Sequence, residues 1–303
     1  MPPPSIRIDD EVADAIGTNR AVVALESTIF SNLGLPSPSN ATALAGCLRA
    51  IRAHGAVPAI TAILDGVARV GIAEHEHERI LGAAHKMSER EIALALAQRW
   101  PFGASTVSAA LCLAAHAGIG VFSTGGIGGV HRGAQISGDI SSDLGALARY
   151  PLVTVCAGAK SFLDLSRTLE HLETLSVPVI GFGTDEFPAF TVRSSGLPVA
   201  ARVDSIAELA DLAHAQRSLG TGGVLVTVPI PEAQALDADV GRDALDRALE
   251  AAERAGIRGP AVTPFVLAHI AEGTGGDAVA ANLALAANNA DVAAQLAVAL
   301  GKG

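Results

Sequence analysis

The sequence predicts an α/β protein with a mostly parallel sheet and helices on both faces of that sheet. Two observations predict it: apolar, β-branched runs alternate with segments of helical periodicity, and small residues dominate the apolar half of the composition. Only 3% of the residues are aromatic while 32 are glycine, which suits helices packed closely on a sheet. The predicted strands are 21–28, 57–64, 67–72, 119–124, 152–157, 177–183 and 222–228. The predicted helices are 38–54, 74–84, 88–99, 105–117, 141–149, 161–175, 204–217, 231–255 and 278–300.

One connection departs from the parallel pattern. Asp65-Gly66 separates strand 57–64 from strand 67–72, and this dipeptide is typical of a two-residue hairpin turn. We therefore predict an antiparallel pair joined to the main sheet. No repeat, linker or low-complexity tract interrupts the sequence, and we expect a single domain over residues 1–303.

The bulk composition argues against several classes of protein. A formal charge of −10 without any basic cluster argues against a nucleic-acid partner. The three cysteines are widely spaced among apolar residues, as expected of reduced core residues. The start, Met1-Pro2-Pro3-Pro4, lacks the basic and apolar regions of a signal peptide, and the apolar stretch 277–300 contains three asparagines. We expect a cytoplasmic protein with no membrane partner.

Polar loops follow several of the predicted strands. In open α/β sheets, ligands bind outside the carboxyl ends of the strands, so side chains in these loops are candidates for a common site. The loops are Glu26-Ser27-Thr28, Ser123-Thr124-Gly125-Gly126, Ala157-Gly158-Ala159-Lys160 and Gly183-Thr184-Asp185-Glu186. We predict that these four loops converge.

The lysines stand out because the chain otherwise uses arginine. There are three lysines against 18 arginines, and Lys302 belongs to the terminal Gly-Lys-Gly. Lys160 follows a buried strand through a small-residue turn, and Lys86 follows a histidine. A lysine in an apolar pocket can reach a pKa of roughly 7–8 and act as a base or nucleophile, whereas arginine stays charged. The pattern indicates amine chemistry, with a chance survivor of an arginine-biased composition as the alternative.

Glu26 is a candidate general acid. It follows the apolar run 21–25, which predicts a dry environment for its carboxyl group. Burial raises the pKa of a carboxyl group and makes it a usable proton donor near neutral pH. The alternative is a turn glutamate that bonds to Ser27 and Thr28.

The segment 123–133 is a candidate phosphate site. It has four glycines in five residues, which free backbone N–H groups to surround an anion, and Thr124, His131 and Arg132 add a hydroxyl and cations. Its spacing matches neither a Walker loop nor the dinucleotide fingerprint. We favour phosphate binding over a plain flexible turn.

The segment 137–144 offers a weaker signal for a cation. Asp139 and Asp143 lie close to the hydroxyls of Ser141 and Ser142, and oxygen ligands of this kind suit Mg²⁺ or Mn²⁺. With so few protein ligands, water would complete most of the coordination shell. Either serine can instead cap the following helix.

Two other polar clusters have different interpretations. His75 and His77 resemble metal ligands, but residues two apart on a helix point in different directions, so we predict a solvated face. The pair Asn288-Asn289 lies in an alanine-rich helix, where unpaired buried amides are costly. A contact with a ligand and a helix–helix hydrogen bond both remain open for this pair.

Together these motifs, in their order along the chain, resemble the pseudouridine-5′-phosphate glycosidase family, which includes the indigoidine synthase A-like proteins. The resemblance covers about residues 10–300. The matching motifs are Val23-Ala24-Leu25-Glu26-Ser27-Thr28-Ile29, Gly55-Ala56-Val57-Pro58-Ala59, Gly125-Gly126-Ile127-Gly128-Gly129-Val130-His131-Arg132-Gly133, Asp139-Ile140-Ser141-Ser142-Asp143-Leu144, Cys156-Ala157-Gly158-Ala159-Lys160-Ser161 and Gly183-Thr184-Asp185-Glu186-Phe187-Pro188-Ala189-Phe190.

The resemblance implies a fold, an activity and roles for individual residues. It implies a three-layer α/β/α domain, usually in a homotrimer, that cleaves or forms the carbon–carbon bond between ribose 5-phosphate and uracil. The Schiff-base lysine of the family falls on Lys160, the proton-donating glutamate on Glu26, a second active-site lysine on Lys86 and the Mn²⁺-binding aspartate on Asp139. Sugar-phosphate contacts fall on Thr124, His131, Ser141, Ser142 and Asp143, with a backbone contact near Val107, and Asn289 corresponds to the residue that reads the base.

The chain also departs from the family pattern after Glu26. The stretch 29–38 has Phe30 where an aliphatic residue is usual, lacks a His and is one residue longer, and Gln135 replaces an acidic residue. A Thr-Thr-Val pattern appears as Ser105-Thr106-Val107. These changes suggest a different aglycone, so a C-glycosynthase for aromatic natural products, with Phe30 in its pocket, is the second hypothesis. A catalytically idle sugar-phosphate sensor is the third.

Overall fold

The computed structural model describes residues 6–257 and 262–301. Eleven strands within these residues form one sheet. The strands are β1 Ile6–Ile8, β2 Val22–Leu25, β3 Val57–Leu64, β4 Val67–Val70, β5 His85–Met87, β6 Phe102–Ser105, β7 Val121–Ser123, β8 Val153–Cys156, β9 Val179–Phe182, β10 Ala201–Val203 and β11 Val224–Thr227. All seven predicted strands are confirmed. The expected domain limits, residues 1 and 303, lie outside the described residues.

The centre of the sheet is parallel, as predicted. Its strands run in the order β3-β2-β7-β8-β11-β9, each parallel to its neighbour. Leu25 at the end of β2 lies opposite Ser123 at the end of β7, and Ser123 lies opposite Val155 in β8. These three strands therefore end at nearly the same level, at one edge of the sheet.

A smaller group of strands branches from β3. The first half of β3 pairs with β2, while its second half pairs antiparallel with β4 and with β6. The antiparallel pairing of β3 and β4 confirms the predicted hairpin. Strands β1, β5, β6 and β10 were not predicted, because three or four residues carry too little periodicity and their pairing depends on a neighbouring strand.

Twelve α-helices within the described residues surround the sheet. They are α1 Asp10–Gly17, α2 Ser39–Ala53, α3 His77–Ile80, α4 Ile92–Ala97, α5 Val107–His116, α6 Ala134–Ser137, α7 Ser142–Arg149, α8 Leu165–Thr174, α9 Ile206–Leu219, α10 Ala238–Arg254, α11 Val262–Gly273 and α12 Asp277–Leu300. The predicted helix 74–84 is shorter than expected: a 3-10 turn, Glu74–Glu76, leads into α3, which ends at Ile80, and β5 begins at His85. The predicted helix 231–255 begins only at Ala238, where the Asp237 side chain caps two backbone N–H groups.

Both faces of the sheet are covered, which gives the predicted three layers. Alternate residues of β2 point to opposite faces, so Val22 and Ala24 join one apolar core while Val23 and Leu25 join the other. The first core includes residues of α1, α5 and α7, and the second includes residues of α2, α9 and α12. Four consecutive buried apolar residues in β2 are the pattern expected of a strand buried on both faces.

Helix α12 is the one helix among the described residues that is long and apolar enough to cross a membrane. Half of the most apolar 18-residue stretch of this helix is buried, and the helix packs along α2 and against β2, β7 and β8. Its asparagines Asn282 and Asn289 are buried within the fold. This is the position of a core helix, and it does not indicate a membrane protein.

Candidate active site

A cavity of about 440 Å³ opens at the carboxyl ends of β2, β7 and β8. Three of the four polar loops predicted to converge contribute to its wall. The predicted site residues that line it are Glu26, Lys86, Val107, Thr124, His131, Asp139, Ser141, Ser142, Asp143 and Lys160. The fourth loop does not reach it, because β9 lies two strands from β8, and Asp185 pairs with Arg202 at 2.7 Å instead.

Glu26 directly follows β2 and is only 7% exposed. Its pKa is raised to about 7, because burial disfavours the ionised carboxylate more strongly than the positive charge of Lys160 and a hydrogen bond from Thr124 favour it. The hydroxyl of Thr124, at the end of β7, donates this bond to Oε1. The predicted dry environment of Glu26 is therefore present, and the carboxyl group can carry a proton at neutral pH.

Lys160 reaches the cavity from the turn after β8. Its Nζ donates a hydrogen bond of 2.8 Å to the carbonyl oxygen of Gly126, which directs the amine toward the glycine loop, residues 125–129. Two backbone bonds join the two loops: Ala157 N–H to Gly125 O at 2.9 Å and Ile127 N–H to Gly158 O at 3.0 Å. The amine is thus held between two loops that are fixed to each other.

Lys86 comes from β5, which pairs with β6 at the edge of the group of strands that branches from β3. The residue as a whole is exposed, but partial loss of water around its amine in the cavity, and then the positive charge of Lys160, lower its pKa. The two candidate amines are therefore close enough to influence each other. The chain separation of 74 residues gave no sign of this proximity, which depends on the pairing of β5 with β6.

The glycine loop is fastened to two helix N-termini by Asp143. Its Oδ1 accepts the N–H of Ser108 in α5 at 3.0 Å, and its Oδ2 accepts the N–H of Gly128 at 2.9 Å. A side chain at position 128 would place its Cβ 2.3 Å from Ser141 Oγ, so only glycine fits this approach. Both carboxylate oxygens of Asp143 thus already hold backbone groups, and its direct contact with a sugar phosphate stays a prediction.

The start of α7 presents two hydroxyls. Ser141 caps the helix by accepting the N–H of Asp143 at 3.2 Å, which is the alternative role considered for it. Ser142 is exposed, and its hydroxyl lies 3.0 Å from that of Ser108. Val107 is the first residue of α5 and also lines the cavity. The N-termini of α5 and α7, which carry partial positive charge, therefore face the same space.

His131 and Asp139 form the mouth of the cavity. Nδ1 of His131 lies 3.9 Å from Oδ2 of Asp139. Burial lowers the pKa of His131, and the nearby Asp139 carboxylate opposes this effect. Among the described residues, no group of three or more His, Cys, Asp or Glu side chains could hold a metal ion. A cation here would therefore depend on Asp139, His131 and water.

Asn289 does not line the cavity, contrary to the expectation that it reads a base. It is fully buried beneath the glycine loop, where its Nδ2 donates to the carbonyl oxygens of Thr124 at 2.9 Å and Gly125 at 3.2 Å. Asn282, two helical turns earlier on α12, lines the cavity instead. Its Oδ1 is buried without a hydrogen-bond partner in the described structure. Helical periodicity places both asparagines on one face, but only packing decides which one reaches the cavity.

Phe30 does not line the cavity either, so its expected role in an aglycone pocket is wrong. Its ring is 1% exposed and belongs to the core beneath α2. Ile29, in the 3-10 helix Thr28–Phe30, lines the cavity, as do Leu33 and Gly34 after that helix. The histidines at 75 and 77 do not line this cavity, and His75 is exposed as predicted.

Comparison with known proteins identifies the relatives of this chain. The family model described as indigoidine synthase A like protein matches residues 11–299. The chain belongs to this family. A pseudouridine-5′-phosphate glycosidase of Myxococcus xanthus is 50% identical over 298 residues, covering 97% of this chain and 98% of the relative. The enzyme of the same name from Chloroflexus aurantiacus is 49% identical over 300 residues, covering 97% and 98%.

Solved structures of the indigoidine synthase A-like family share the fold. The prealnumycin C-glycosynthase in complex with ribulose 5-phosphate has a TM-score of 0.90 and 38% identity, covering 99% of this chain and 98% of the other. An indigoidine synthase A-like protein of Thermotoga maritima has a TM-score of 0.87 and 34% identity, covering 98% and 96%. These similarities confirm the predicted fold class and the resemblance drawn from the motifs.

Within this family fold, sequence analysis missed several residues of the cavity wall. Leu267 of α11, Phe190 and Asn282 belong to it. No motif indicated α11, and Phe190 has a positive φ of 64° that brings its ring close to Gly126. The asparagine spacing of seven residues was the one available signal, since 282 and 289 share a helix face.

Proposed function

We propose that this chain is a pseudouridine-5′-phosphate glycosidase, an enzyme that splits the bond between C1′ of ribose 5-phosphate and C5 of uracil. One observation carries the proposal: a lysine amine, a carboxyl group protonated near neutral pH and two helix N-termini meet in a single cavity. The names of relatives about half identical over almost the whole chain support it. The ribulose 5-phosphate of the C-glycosynthase complex supports a sugar phosphate as the ligand.

The phosphate group would bind where α5 and α7 begin. The hydroxyls of Ser141 and Ser142 and the backbone N–H of Val107 supply donors there, and both helix dipoles favour an anion. Thr124 and His131 extend the polar wall toward the sugar. A phosphate fixed at this end would hold C1′ near Lys160 while the sugar changes shape.

The reaction needs a nitrogen lone pair that can push the bond apart, because uracil leaves C1′ with the electron pair of a carbon–carbon bond and is a poor leaving group. The Lys160 amine would bond to C1′ as the C1′–O4′ bond breaks. The C1′–C5 bond would then break with its electron pair left on C5 of uracil, which takes a proton, while the lysine nitrogen forms a C=N bond to C1′. Water hydrolyses this iminium and releases ribose 5-phosphate and the free amine.

Glu26 would supply the protons. In the first step its carboxyl group protonates O4′ as the ring opens. The resulting carboxylate then takes the proton that the Lys160 nitrogen loses after bonding to C1′, and delivers this proton to C5 of the departing uracil. A pKa of about 7 suits this alternation, since the acid and the carboxylate are both populated at neutral pH. The pKa of Lys86 is lowered by loss of water around its amine and by the positive charge of Lys160, and Lys86 would take the proton that Lys160 must lose before it attacks.

A divalent cation, Mn²⁺ or Mg²⁺, fits the mouth of the cavity as a largely hydrated ion. Asp139 would hold it, with His131 beside it, since a carboxylate and an imidazole are acceptable ligands for Mn²⁺. When bound, the cation would supply positive charge near the sugar phosphate. Asp139 is half-buried at the mouth, so its carboxylate remains accessible to such an ion.

The uracil would lie beside Asn282 and not Asn289. Within the described residues, the side-chain oxygens of both are buried without a partner, but of the two only Asn282 lines the cavity. The unpartnered Oδ1 of Asn282 is an acceptor that needs a donor, and a ring N–H of uracil is such a donor. Ile29 and Leu33 provide the apolar surface for the ring. We further propose that the protein is cytoplasmic and forms a homotrimer. Sedimentation analysis of the purified protein would measure the number of subunits.

A C-glycosynthase for a larger aromatic aglycone is the second candidate. A smaller cavity of about 180 Å³ adjoins the first beyond Leu33, Phe190 and Asn282, and its lining is largely apolar. It offers room for a ring system wider than uracil. The structural similarity to a C-glycosynthase supports this candidate as well.

Reductive trapping tests the proposal. The protein is incubated with ribose 5-phosphate and Mn²⁺, treated with borohydride, and examined by intact and peptide mass spectrometry. We expect a reduced pentose-phosphate adduct on Lys160 and release of uracil from pseudouridine 5′-phosphate. Lys160→Ala should show neither while still binding ribose 5-phosphate.

The other outcomes separate the alternatives. Product formation with aromatic acceptors but not with uracil would favour the C-glycosynthase. Binding of ribose 5-phosphate without any adduct or product would reject both enzymes in favour of a sugar-phosphate sensor. Near-normal turnover by Lys160→Ala would overturn the lysine mechanism.

A further inference from the structure

We propose that Ser105, which lies behind the cavity wall, is a positioning residue for Glu26 and Lys86. The inference rests on the proposed function for its kinetic consequence, but its structural basis is independent of the substrate. Ser105 is fully buried and does not line the cavity. Its effect must therefore act through the residues to which it is bonded.

Ser105 lies where the sheet divides. Strand β3 pairs with β2 as far as Ile60 and with β6 from Ala62 onward, so β2 and β6 leave the same strand on the same side. Thr61 lies between the two pairings. At such a junction the ends of β2 and β6 have no regular ladder between them, and other donors and acceptors must join them.

The polar atoms of Ser105 make that connection. Its N–H donates to Ser27 Oγ at 2.9 Å, and its Oγ accepts the N–H of Ser27 at 3.1 Å. Its carbonyl oxygen accepts the Thr28 hydroxyl at 2.7 Å. Its own hydroxyl donates to the carbonyl oxygen of Thr61 at 2.7 Å. The turn that follows Glu26 is thus bonded to Ser105 at three points.

The hydroxyls of Ser27, Thr61 and Ser105 form one closed cluster. All three residues are fully buried, and Thr61 Oγ1 lies 3.0 Å from the carbonyl oxygen of Leu25, its acceptor, and 2.9 Å from Ser105 Oγ. Each hydroxyl proton has an acceptor within the cluster, so none is left for a ligand. The cluster is therefore suited to fixing geometry and not to binding substrate.

Three parts of the candidate site meet at this cluster. Glu26 lies between Leu25 and Ser27, both of which are bonded to it. Met87, which follows Lys86, pairs with Ser105 in the parallel ladder of β5 and β6. The first turn of α5, which faces the proposed phosphate, begins two residues after Ser105. One serine therefore sets the positions of the acid, the second amine and the anion site relative to one another.

The test compares Ser105→Ala with a matched buried hydroxyl elsewhere. Thr227→Val is the control, since Thr227 is also fully buried and its hydroxyl donates to Ile180 O at 3.2 Å, on strands away from the cavity. Ser105→Thr keeps the hydroxyl and serves as the conservative variant. The measurements are kcat and KM for pseudouridine 5′-phosphate, the affinity for ribose 5-phosphate by calorimetry, and the pKa of Glu26 from its infrared carboxyl band.

We expect Ser105→Ala to lower kcat about 10- to 100-fold, because a displacement of about 1 Å in a catalytic group has effects of this size. Affinity for ribose 5-phosphate should change less than kcat. The pKa of Glu26 should fall toward its usual value, since a looser turn admits water to the carboxyl group. Ser105→Thr should restore much of the activity, and Thr227→Val should leave kcat and the Glu26 pKa unchanged.

One result would overturn the inference about Ser105, and a different result would overturn the proposed function. If Ser105→Ala folds and keeps the wild-type kcat and Glu26 pKa, Ser105 is a structural residue only, and the inference is wrong. If the wild-type protein does not cleave pseudouridine 5′-phosphate, the proposed function fails. The infrared measurement still tests the positioning of Glu26 in that case, because it requires no turnover. Should Ser105→Ala not fold, Ser27→Ala removes only one hydroxyl of the cluster and is measured in the same way.

Discussion

Thr124 donates a hydrogen bond to Glu26 across the ends of two neighbouring parallel strands, and neither side chain is more than 7% exposed. This bond fixes the direction of the carboxyl group, while the surrounding burial raises its pKa to about 7. Orientation and protonation of the candidate acid therefore have separate causes. The positive charge of Lys160 and the hydrogen bond from Thr124 both favour the ionised form, and burial outweighs them.

The first prediction concerns the pH dependence of turnover. If Glu26 must donate a proton to O4′, kcat should fall as the pH rises through about 7, the pKa of its carboxyl group. A pH–rate profile of uracil release measures this. Glu26→Gln should lose turnover at every pH, and a profile that rises through pH 7 would instead assign Glu26 to the base form.

The second prediction is that removing the charge of Glu26 stabilises the folded protein, and that this gain depends on pH. Its pKa is about 7 in the folded protein and 4.5 for a glutamate exposed to water, so its ionisation disfavours the folded state as the pH rises through this interval. The difference corresponds to about 3 kcal/mol. Glu26→Gln should therefore raise the free energy of unfolding at pH 8 by up to this amount and leave it nearly unchanged at pH 4. Equal effects at both pH values in denaturant titrations would contradict the raised pKa.

Two asparagines of helix α12 should respond differently to alanine. Asn289→Ala leaves the carbonyl oxygens of Thr124 and Gly125 without their buried donor and should cost about 1–3 kcal/mol of unfolding free energy. Asn282→Ala removes an unpartnered acceptor, so it should cost little stability and raise KM for pseudouridine 5′-phosphate. Thermal denaturation and steady-state kinetics of both variants distinguish these roles. A stability loss in Asn282→Ala with an unchanged KM would assign it to the scaffold.

Two aspartates four residues apart make a second contrasting pair. Asp143→Asn places an NH₂ group against one of two buried N–H groups, and we expect a loss of about 1–3 kcal/mol of unfolding free energy. Asp139→Asn, at the cavity mouth, should leave stability unchanged but weaken Mn²⁺ binding. Electron paramagnetic resonance of bound Mn²⁺ measures this without an activity assay. Unchanged Mn²⁺ affinity in Asp139→Asn would place the cation elsewhere.

In the altered loop after Glu26, we expect Phe30 to contribute to stability and Leu33 to contribute to the choice of aglycone. Phe30→Ala should lose about 3–5 kcal/mol of unfolding free energy, because a fully buried aromatic ring leaves a cavity. Leu33→Ala, which widens the passage between the two cavities, should cost much less and improve the use of bulky aromatic acceptors relative to uracil. Competition assays with both acceptors measure the ratio. A changed ratio in folded Phe30→Leu, with none in Leu33→Ala, would reverse this assignment.

Much of the fold was predictable because its signals are local. A run such as 21–25 predicts a doubly buried strand, and Asp65-Gly66 predicts a hairpin, from neighbours alone. Strands β5 and β6 were not predictable, since their few residues become strands only through pairing with β3 and with each other. The same limit applies to Lys86, whose place in the cavity follows from that pairing.

The sequence was enough to predict the α/β class, the family and the residues at the ends of β2, β7 and β8. Neighbouring strands of a parallel sheet end side by side, so the loops that follow them converge. Which side chains in and around these loops face the cavity depends on tertiary packing. Asn282 faces it and Asn289 supports its wall; Leu33 faces it and Phe30 packs in the core. The reason is physical: residues on one helix face or in one short turn share the same local pattern, and their final exposure depends on what the rest of the chain packs against them.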